Sequence, residues 1–156
     1  MKTLLLMRHA KSSWKQPDLQ DFDRPLAKRG RKDVPRMAEL LLKAELVPEV
    51  ILASPALRAQ LTAEMLAAQI NRLDHVEYLH EFYMAEPQTY LEALKGLPDT
   101  LERVMIIGHN PGLEGLLQIL SGHVETLPTA AIAYISLPIK KWSELTEQSE
   151  GSLIEL

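Results

Sequence analysis

The chain has 156 residues, of which 46% are apolar and 24% are charged, proportions typical of one folded globular domain spanning residues 1–156. The formal net charge is −4, so the chain as a whole lacks the positive field on which nucleic-acid-binding domains depend. Cysteine is absent, which excludes disulfides and thiolate zinc sites. The apolar run at residues 4–7 is too short for a signal peptide or a membrane span, and we therefore expect a cytoplasmic protein.

Strand-like and helix-like segments alternate along the chain. The predicted strands lie at residues 3–7, 48–54, 75–79, 103–110 and 129–138, and the predicted helices at about 31–45, 54–70, 87–97 and 110–122. The final residues, 152–156, fit either a strand at the edge of the sheet or a frayed end. Strands that alternate with helices favour an α/β fold, namely a three-layer α/β/α sandwich around a mainly parallel sheet.

Three helix starts carry recognisable signals. Ser54 and Asn110 are predicted as N-cap residues, with Pro55 and Pro111 at the first helical positions. Pro35 is predicted in the first turn of the first helix, where proline is tolerated. These signals set the expected starts of the helices that follow the first, second and fourth strands.

Basic and imidazole side chains follow three of the predicted strands. Arg8 and His9 come directly after the first strand, Arg58 lies one turn inside the helix after the second, and His109 and Asn110 end the fourth. Because the carboxyl ends of parallel strands share one edge of a sheet, these side chains are expected to converge. Helix N-termini attract anions, and the planar fork of arginine matches phosphate oxygens. The pattern therefore indicates a phosphoryl site.

The histidines suggest chemistry as well as binding. Neutral imidazole can attack phosphorus, and the charges of Arg8 and Arg58 disfavour protonation of His9. Taken singly, a histidine at a strand end is usually a surface or hydrogen-bonded residue, but coincidence at three strand ends is much less probable. His9 and His109 as metal ligands would lack a third ligand at zinc spacing, so no metal is expected. The remaining histidines are expected at the surface: His75, His80 and His123.

Four motifs in order, LLLMRHAKSSW, DRPLAKRG, SPALRAQLTAE and IIGHNPGLE, resemble the histidine phosphatase superfamily (branch 1) over residues 3–137. Within it the chain looks like the small SixA-type branch of phosphohistidine phosphatases, with a phosphoglycerate-mutase-like fold. The resemblance implies that His9 is the phosphorylated nucleophile and that Arg8, Arg58 and His109 form the phosphate pocket. It implies no metal and no organic cofactor.

Further positions follow from the same resemblance. Arg24, in DRPL, and Asn110 are expected to contact phosphate, and Glu81 is expected to be the acid that protonates a hydroxyl leaving group. An ordinary solvated loop glutamate is the alternative for Glu81. The chain departs from the family pattern at Ala10, where glycine is usual, and at Leu61, where glutamine is usual.

The expected reaction is a two-step hydrolysis through phosphorylated His9, with inorganic phosphate as product. The segments between the motifs are too short for a large cap over the site, which favours a phosphorylated protein as substrate, for example a histidine phosphotransfer domain. Two alternatives remain open: a phosphatase of a small phosphorylated metabolite, and a non-catalytic phosphate-binding module. Neither a nucleic acid nor a membrane is an expected partner.

Overall fold

The structure, a computed structural model that describes residues 1–155, is built on a six-stranded sheet. Its strands are β1 (Lys2–Arg8), β2 (Val50–Ala53), β3 (Val76–Tyr78), β4 (Arg103–Gly108), β5 (Ile132–Leu137) and β6 (Ser152–Glu155). The strand order is β3-β2-β4-β1-β5-β6, in which β3, β2, β4 and β1 are mutually parallel. β5 runs antiparallel to β1, and β6 runs antiparallel to β5 at the edge. The chain end is therefore an edge strand as far as residue 155, and Leu156 lies outside the described residues.

β1 lies inside the sheet, between β4 and β5. Met7 pairs with Ile107 on one side and with Ile132 on the other. The apolar residues at positions 4–7 have no solvent exposure, because both faces of the strand are covered. This arrangement holds the carboxyl end of β1, and the residues just beyond it, in a rigid position.

Within residues 1–155, four α-helices cover the two faces of the sheet: α1 (Lys28–Lys43), α2 (Leu57–Gln69), α3 (Pro87–Lys95) and α4 (Gly112–Ser121). α1 and α2 pack on the face that carries Leu5 and Met7, and α3 and α4 pack on the face that carries Leu4 and Leu6. The predicted three-layer α/β/α sandwich with a mainly parallel sheet is thus confirmed. Among residues 1–155, no helix is long and apolar enough to cross a bilayer.

The predicted position of Pro35 in the first turn of α1 is wrong. The helix begins at Lys28, so Pro35 is its eighth residue and lies in the helix interior. Proline has no N–H to donate to the carbonyl of Arg31 four residues earlier. Pro35 is only partly buried, and the helix continues past it to Lys43.

The predicted N-caps at Ser54 and Asn110 are also wrong. α2 and α4 begin later, at Leu57 and Gly112, and neither has a side-chain cap. The Ser54 hydroxyl contacts the imidazole of His109 and accepts from the Ala56 N–H before the helix begins. The Asn110 amide donates to the Leu127 carbonyl and to the Glu114 carboxylate in α4. Both side chains thus act ahead of the helices, in contacts that include distant parts of the chain.

Candidate active site

A cavity of about 280 Å³ lies where the carboxyl ends of β1, β2 and β4 meet. Twelve residues line it: Arg8, His9, Lys11, Ser12, Trp14, Asp21, Arg24, Arg58, Met84, His109, Asn110 and Thr129. The structure thus brings together six of the seven residues that the sequence singled out. The seventh, Glu81, does not line the cavity.

The backbone carbonyl of the next residue, Ala10, holds the His9 imidazole in one tautomer. His9 is 7% exposed, and its Nδ1 lies 2.8 Å from the carbonyl oxygen of Ala10. A carbonyl oxygen only accepts hydrogen bonds, so Nδ1 donates and carries the proton. Nε2 is then the nitrogen with the free lone pair. Ala10 is fixed in turn, because its N–H donates to the Thr62 hydroxyl at 3.0 Å.

Both cavity histidines are neutral near physiological pH. Burial, together with the nearby charges of Arg58 and Arg8, lowers the pKa of His9 to about 4. Burial and the neighbouring His9 ring, whose centroid is 5.1 Å away, lower the pKa of His109 to about 3. Neutral imidazole keeps the lone pair that a nucleophile needs.

The tautomer and the protonation state of His9 can be measured directly by NMR. In ¹⁵N-labelled protein, His9 should show the Nδ1–H tautomer and a titration midpoint near its pKa of about 4, below the ordinary value of 6.5. Because an unfolded chain would protonate His9 first, folding stability should fall as the pH drops from 6.5 toward 4. A His9→Gln variant identifies the resonance. A midpoint near 6.5 with the proton on Nε2 would contradict the geometry described above.

Arg58 is buried and is held by a carboxylate that the sequence did not reveal. One Nη of Arg58 donates to the Asp21 carboxylate at 2.9 Å, and the other donates to the Asp21 carbonyl at 2.7 Å. Asp21 also accepts from Arg24 at 3.0 Å and from the Tyr83 hydroxyl at 2.6 Å. Partial burial alone would raise the pKa of Asp21, but the hydrogen bonds from Tyr83 and Arg58 outweigh it and lower the pKa to about 2. Asp21 is therefore ionised and aligns both arginines.

Arg24 is fixed from several sides at the edge of the cavity. It donates to the hydroxyl of Ser12 and, at 3.2 Å, to the carbonyl of Ser13. The exposed Trp14 ring stacks on its guanidinium, with 3.2 Å between Cζ and the ring centroid. Arg24 thus lines the cavity, and its expected contact with phosphate stays a prediction.

Three buried polar atoms at the site have no hydrogen-bond partner in residues 1–155: Nε of Arg8, Nδ1 of His109 and Oδ1 of Asn110. Buried polar atoms are normally paired, so unpaired ones that gather around one cavity indicate a ligand site. Arg8 makes one other contact, from Nη1 to the Leu127 carbonyl at 3.3 Å. Its Nε is thus a buried donor with no hydrogen-bond acceptor among residues 1–155.

The backbone of His109 is positioned by a buried tyrosine. The Tyr90 hydroxyl accepts from the His109 N–H at 3.2 Å. A side chain at position 108 would collide with that hydroxyl, so only glycine allows the approach. Gly108 therefore allows Tyr90 to pack beneath the site.

Glu81 and Leu61, two positions singled out by the family comparison, lie away from the cavity. Glu81 is exposed on a one-turn 3₁₀ helix at residues 80–82 and lines a separate surface depression with Gln88 and Glu92. Leu61 packs against the apolar layer between α1, α2 and the sheet. Leu61 is therefore not a lining residue of this cavity.

Comparison with known proteins decides the family. A sequence model described as the histidine phosphatase superfamily (branch 1) matches residues 4–105, well over half of the chain. The chain belongs to this superfamily. The cavity of this histidine phosphatase contains the arginine and histidine residues of the motifs on which the resemblance rests.

Relatives and solved structures place the histidine phosphatase with the SixA type. It is 32% identical over 153 residues to an uncharacterized chloroplastic protein of Arabidopsis thaliana, covering 92% of this chain and 70% of the relative. A SixA structure from Agrobacterium tumefaciens superposes with a TM-score of 0.80 at 30% identity, covering 86% of this chain and 90% of that one. The protein histidine phosphatase SixA in complex with tungstate gives 0.83 at 25% identity, covering 98% and 94%. The SixA-type identification is thereby confirmed.

Proposed function

We propose that this phosphatase hydrolyses phosphohistidine on a protein through a covalent phosphohistidine intermediate at His9. The observation that carries this proposal is that the cavity lining has one carboxyl group and that this group is ionised. Among its lining residues only Asp21 has a carboxyl group, and that group is ionised and bonded to Arg24, Arg58 and Tyr83. It has no proton to give to a departing group.

The nature of the leaving group then distinguishes the substrates. An alkoxide leaving from a phosphate ester is strongly basic and needs a proton from a positioned acid. Imidazole leaving from phosphohistidine is far less basic and takes its proton from solvent. A cavity whose carboxylate is fully ionised therefore suits the phosphoramidate bond better than the ester bond.

In the first step, Nε2 of His9 attacks phosphorus in line with the leaving group. The substrate ring first takes a proton from solvent on its second nitrogen, so the new N–P bond forms as the bond to the substrate breaks and a neutral imidazole departs. The nucleophile becomes a phosphorylated imidazolium whose Nδ1–H still donates to the Ala10 carbonyl. This charge-assisted hydrogen bond stabilises the intermediate.

In the second step, water attacks the phosphorus, the N–P bond breaks, and inorganic phosphate and neutral His9 are regenerated. Charge on the transferring oxygens is met by Arg8, Arg58 and His109. The Ser54 hydroxyl accepts from the Ala56 N–H at 3.2 Å and lies 2.8 Å from Nε2 of His109. Donation by Ser54 to Nε2 would place the His109 proton on the unpaired Nδ1, where it can serve a phosphoryl oxygen.

The test is phosphate release from a phosphohistidine peptide and from glycerol 3-phosphate, an ester whose leaving group is an alkoxide, each with and without a chelator. Preference for phosphohistidine, unaffected by chelation, is the expected result. Preference for the ester would instead indicate a phosphatase of small metabolites. Tight phosphate binding with neither substrate hydrolysed would indicate a binding module.

The Glu81→Gln variant tests whether Glu81 protonates the leaving group. Because the side chain faces a different depression, the variant should change kcat/KM by less than about twofold on both substrates, an effect within the range of ordinary surface changes. The exposed Glu92→Gln serves as the matched control. A selective loss on the ester would show that Glu81 reaches the cavity during turnover as a proton donor.

A further inference from the structure

Charge is distributed unevenly along this chain. Residues 1–36 contain ten lysines and arginines against four acids, whereas residues 37–156 contain seven against seventeen. The small net charge of −4 thus hides a basic first quarter and an acidic remainder. Arg8 and Arg24 account for part of the basic excess, but most of it lies outside the cavity.

Five exposed cations form a surface next to the cavity, which we call the basic surface: Lys11, Lys28, Arg29, Arg31 and Lys32. Lys11 lines the cavity, and its carbonyl accepts from the Ala27 N–H at 2.8 Å, just before α1 begins. A side chain at Gly30 would collide with that carbonyl, so the first turn of α1 packs directly on the cavity wall. The basic surface is therefore continuous with the cavity.

Little within the chain neutralises these charges. Arg29 lies 3.6 Å from Asp33, and the other four members of the basic surface have no carboxylate within 4.0 Å among residues 1–154. Lys28, Lys32 and Arg36 recur every four residues and, with Arg29 and Asp33, line a depression on the outer side of α1. The surface thus offers several free cations to a partner.

The arrangement opposes the ordinary chemistry of a helix start. The first turn of α1 has three cations and no acid, and its N-cap, Ala27, provides no side-chain acceptor. Cations at the positive end of the helix dipole are unfavourable. Where a sequence breaks a local stability rule without compensation, a functional role is the expected reason.

We infer that the basic surface docks the acidic surroundings of the phosphorylated side chain in a protein substrate. This inference rests on the proposed function, because it needs a phosphoprotein whose phosphoryl group enters the cavity. Lys11 connects the two regions, so residues that flank the phosphorylated one would lie over α1. The acidic remainder of the chain would repel a long polyanion, which favours a local acidic patch on a protein over a nucleic acid.

The test uses two synthetic peptides of equal length, each with one phosphorylated histidine, flanked by glutamates in one and by lysines in the other. The variant Lys28→Gln/Arg29→Gln/Lys32→Gln is compared with Lys43→Gln/Lys140→Gln/Lys141→Gln, which removes equal charge elsewhere. At low salt the first variant should lose about tenfold in kcat/KM on the glutamate peptide, mainly through KM, and the loss should shrink as salt rises. Hydrolysis of p-nitrophenyl phosphate should stay nearly unchanged in both.

The Tm of the Lys28→Gln/Arg29→Gln/Lys32→Gln variant shows whether these cations serve docking or stabilise the fold. Neutralising cations at the helix start should leave the Tm equal or higher, whereas a structural role would lower it. Equal kcat/KM of the wild type on the two peptides, or equal losses in the two variants, would overturn docking while leaving the proposed function intact.

A binding experiment tests the docking inference even if the protein does not hydrolyse phosphohistidine. Fluorescence anisotropy of the unphosphorylated glutamate peptide should show binding that the first variant loses, even if no phosphohistidine is hydrolysed. Tighter binding of a DNA oligonucleotide of the same net charge would overturn the inference in favour of a nucleic-acid partner.

Discussion

Replacing His9 with alanine should lower turnover of both the phosphohistidine peptide and p-nitrophenyl phosphate by at least about 10⁴-fold, as loss of a nucleophile does elsewhere. The reason is geometric as well as chemical. The other cavity imidazole, His109, has its Nε2 against Ser54 and is not oriented by a backbone carbonyl as His9 is. Steady-state phosphate release measures the loss, and rapid acid-free trapping should show phosphate attached to the wild type alone.

The His9→Ala variant is expected to fold, so a loss of turnover would report on chemistry and not on unfolding. His9 lies beyond the end of β1 at the cavity, and alanine removes a single side-chain hydrogen bond. Circular dichroism and Tm close to the wild type would confirm the fold, with the exposed His123→Ala as the matched control. Retained turnover in a folded His9→Ala protein would remove His9 from the role of nucleophile.

Replacing Arg58 with alanine should reduce kcat/KM by about 10²–10³-fold or more, the usual effect of losing one donor to developing charge. The structure adds a second contribution. Without Arg58, the Asp21 carboxylate would face the incoming phosphoryl group with only Arg24 and Tyr83 to neutralise it. Arg58→Lys should recover only part of the activity, because an ammonium cannot reproduce the planar fork.

A double variant measures that second contribution. Arg58→Ala/Asp21→Asn should be more active than Arg58→Ala alone, since it removes the unpaired carboxylate. Arg36→Ala, which removes an exposed arginine of α1, is the matched control, with p-nitrophenyl phosphate as the substrate for all the variants. If the double variant were no better than the single one, Asp21 would not oppose phosphate binding in the absence of Arg58.

The sequence predicted the convergence of Arg8, His9, Arg58 and His109 because chain connectivity alone determines it. Successive strands of a parallel sheet end at the same edge, so residues that follow those strands must meet there. No side-chain packing had to be known. The same reasoning predicted the three layers, since alternating strands and helices leave few other ways to bury both faces.

The residues that were missed or misplaced depend on contacts between distant parts of the chain. Asp21 is separated from Arg58 by 37 positions and from Tyr83 by 62, and it begins a one-turn 3₁₀ helix that is too short for any periodicity to reveal it. Ser54 has the residue type of an N-cap, yet its hydroxyl is engaged by His109, 55 positions away. Glu81 and the cavity-lining Met84 are three positions apart, and spacing alone does not tell which of them faces the site.

The position of β1 inside the sheet bears on how the molecule is assembled. During synthesis β1 leaves the ribosome before both of its neighbours in the sheet, β4 and β5, which belong to the later part of the chain. Closing such long loops is slow, because their entropy is lost before the contacts form. His9 therefore reaches its working geometry only in the late stages of folding. A chain released before β5 would contain the nucleophile but could not hold it beside the cavity.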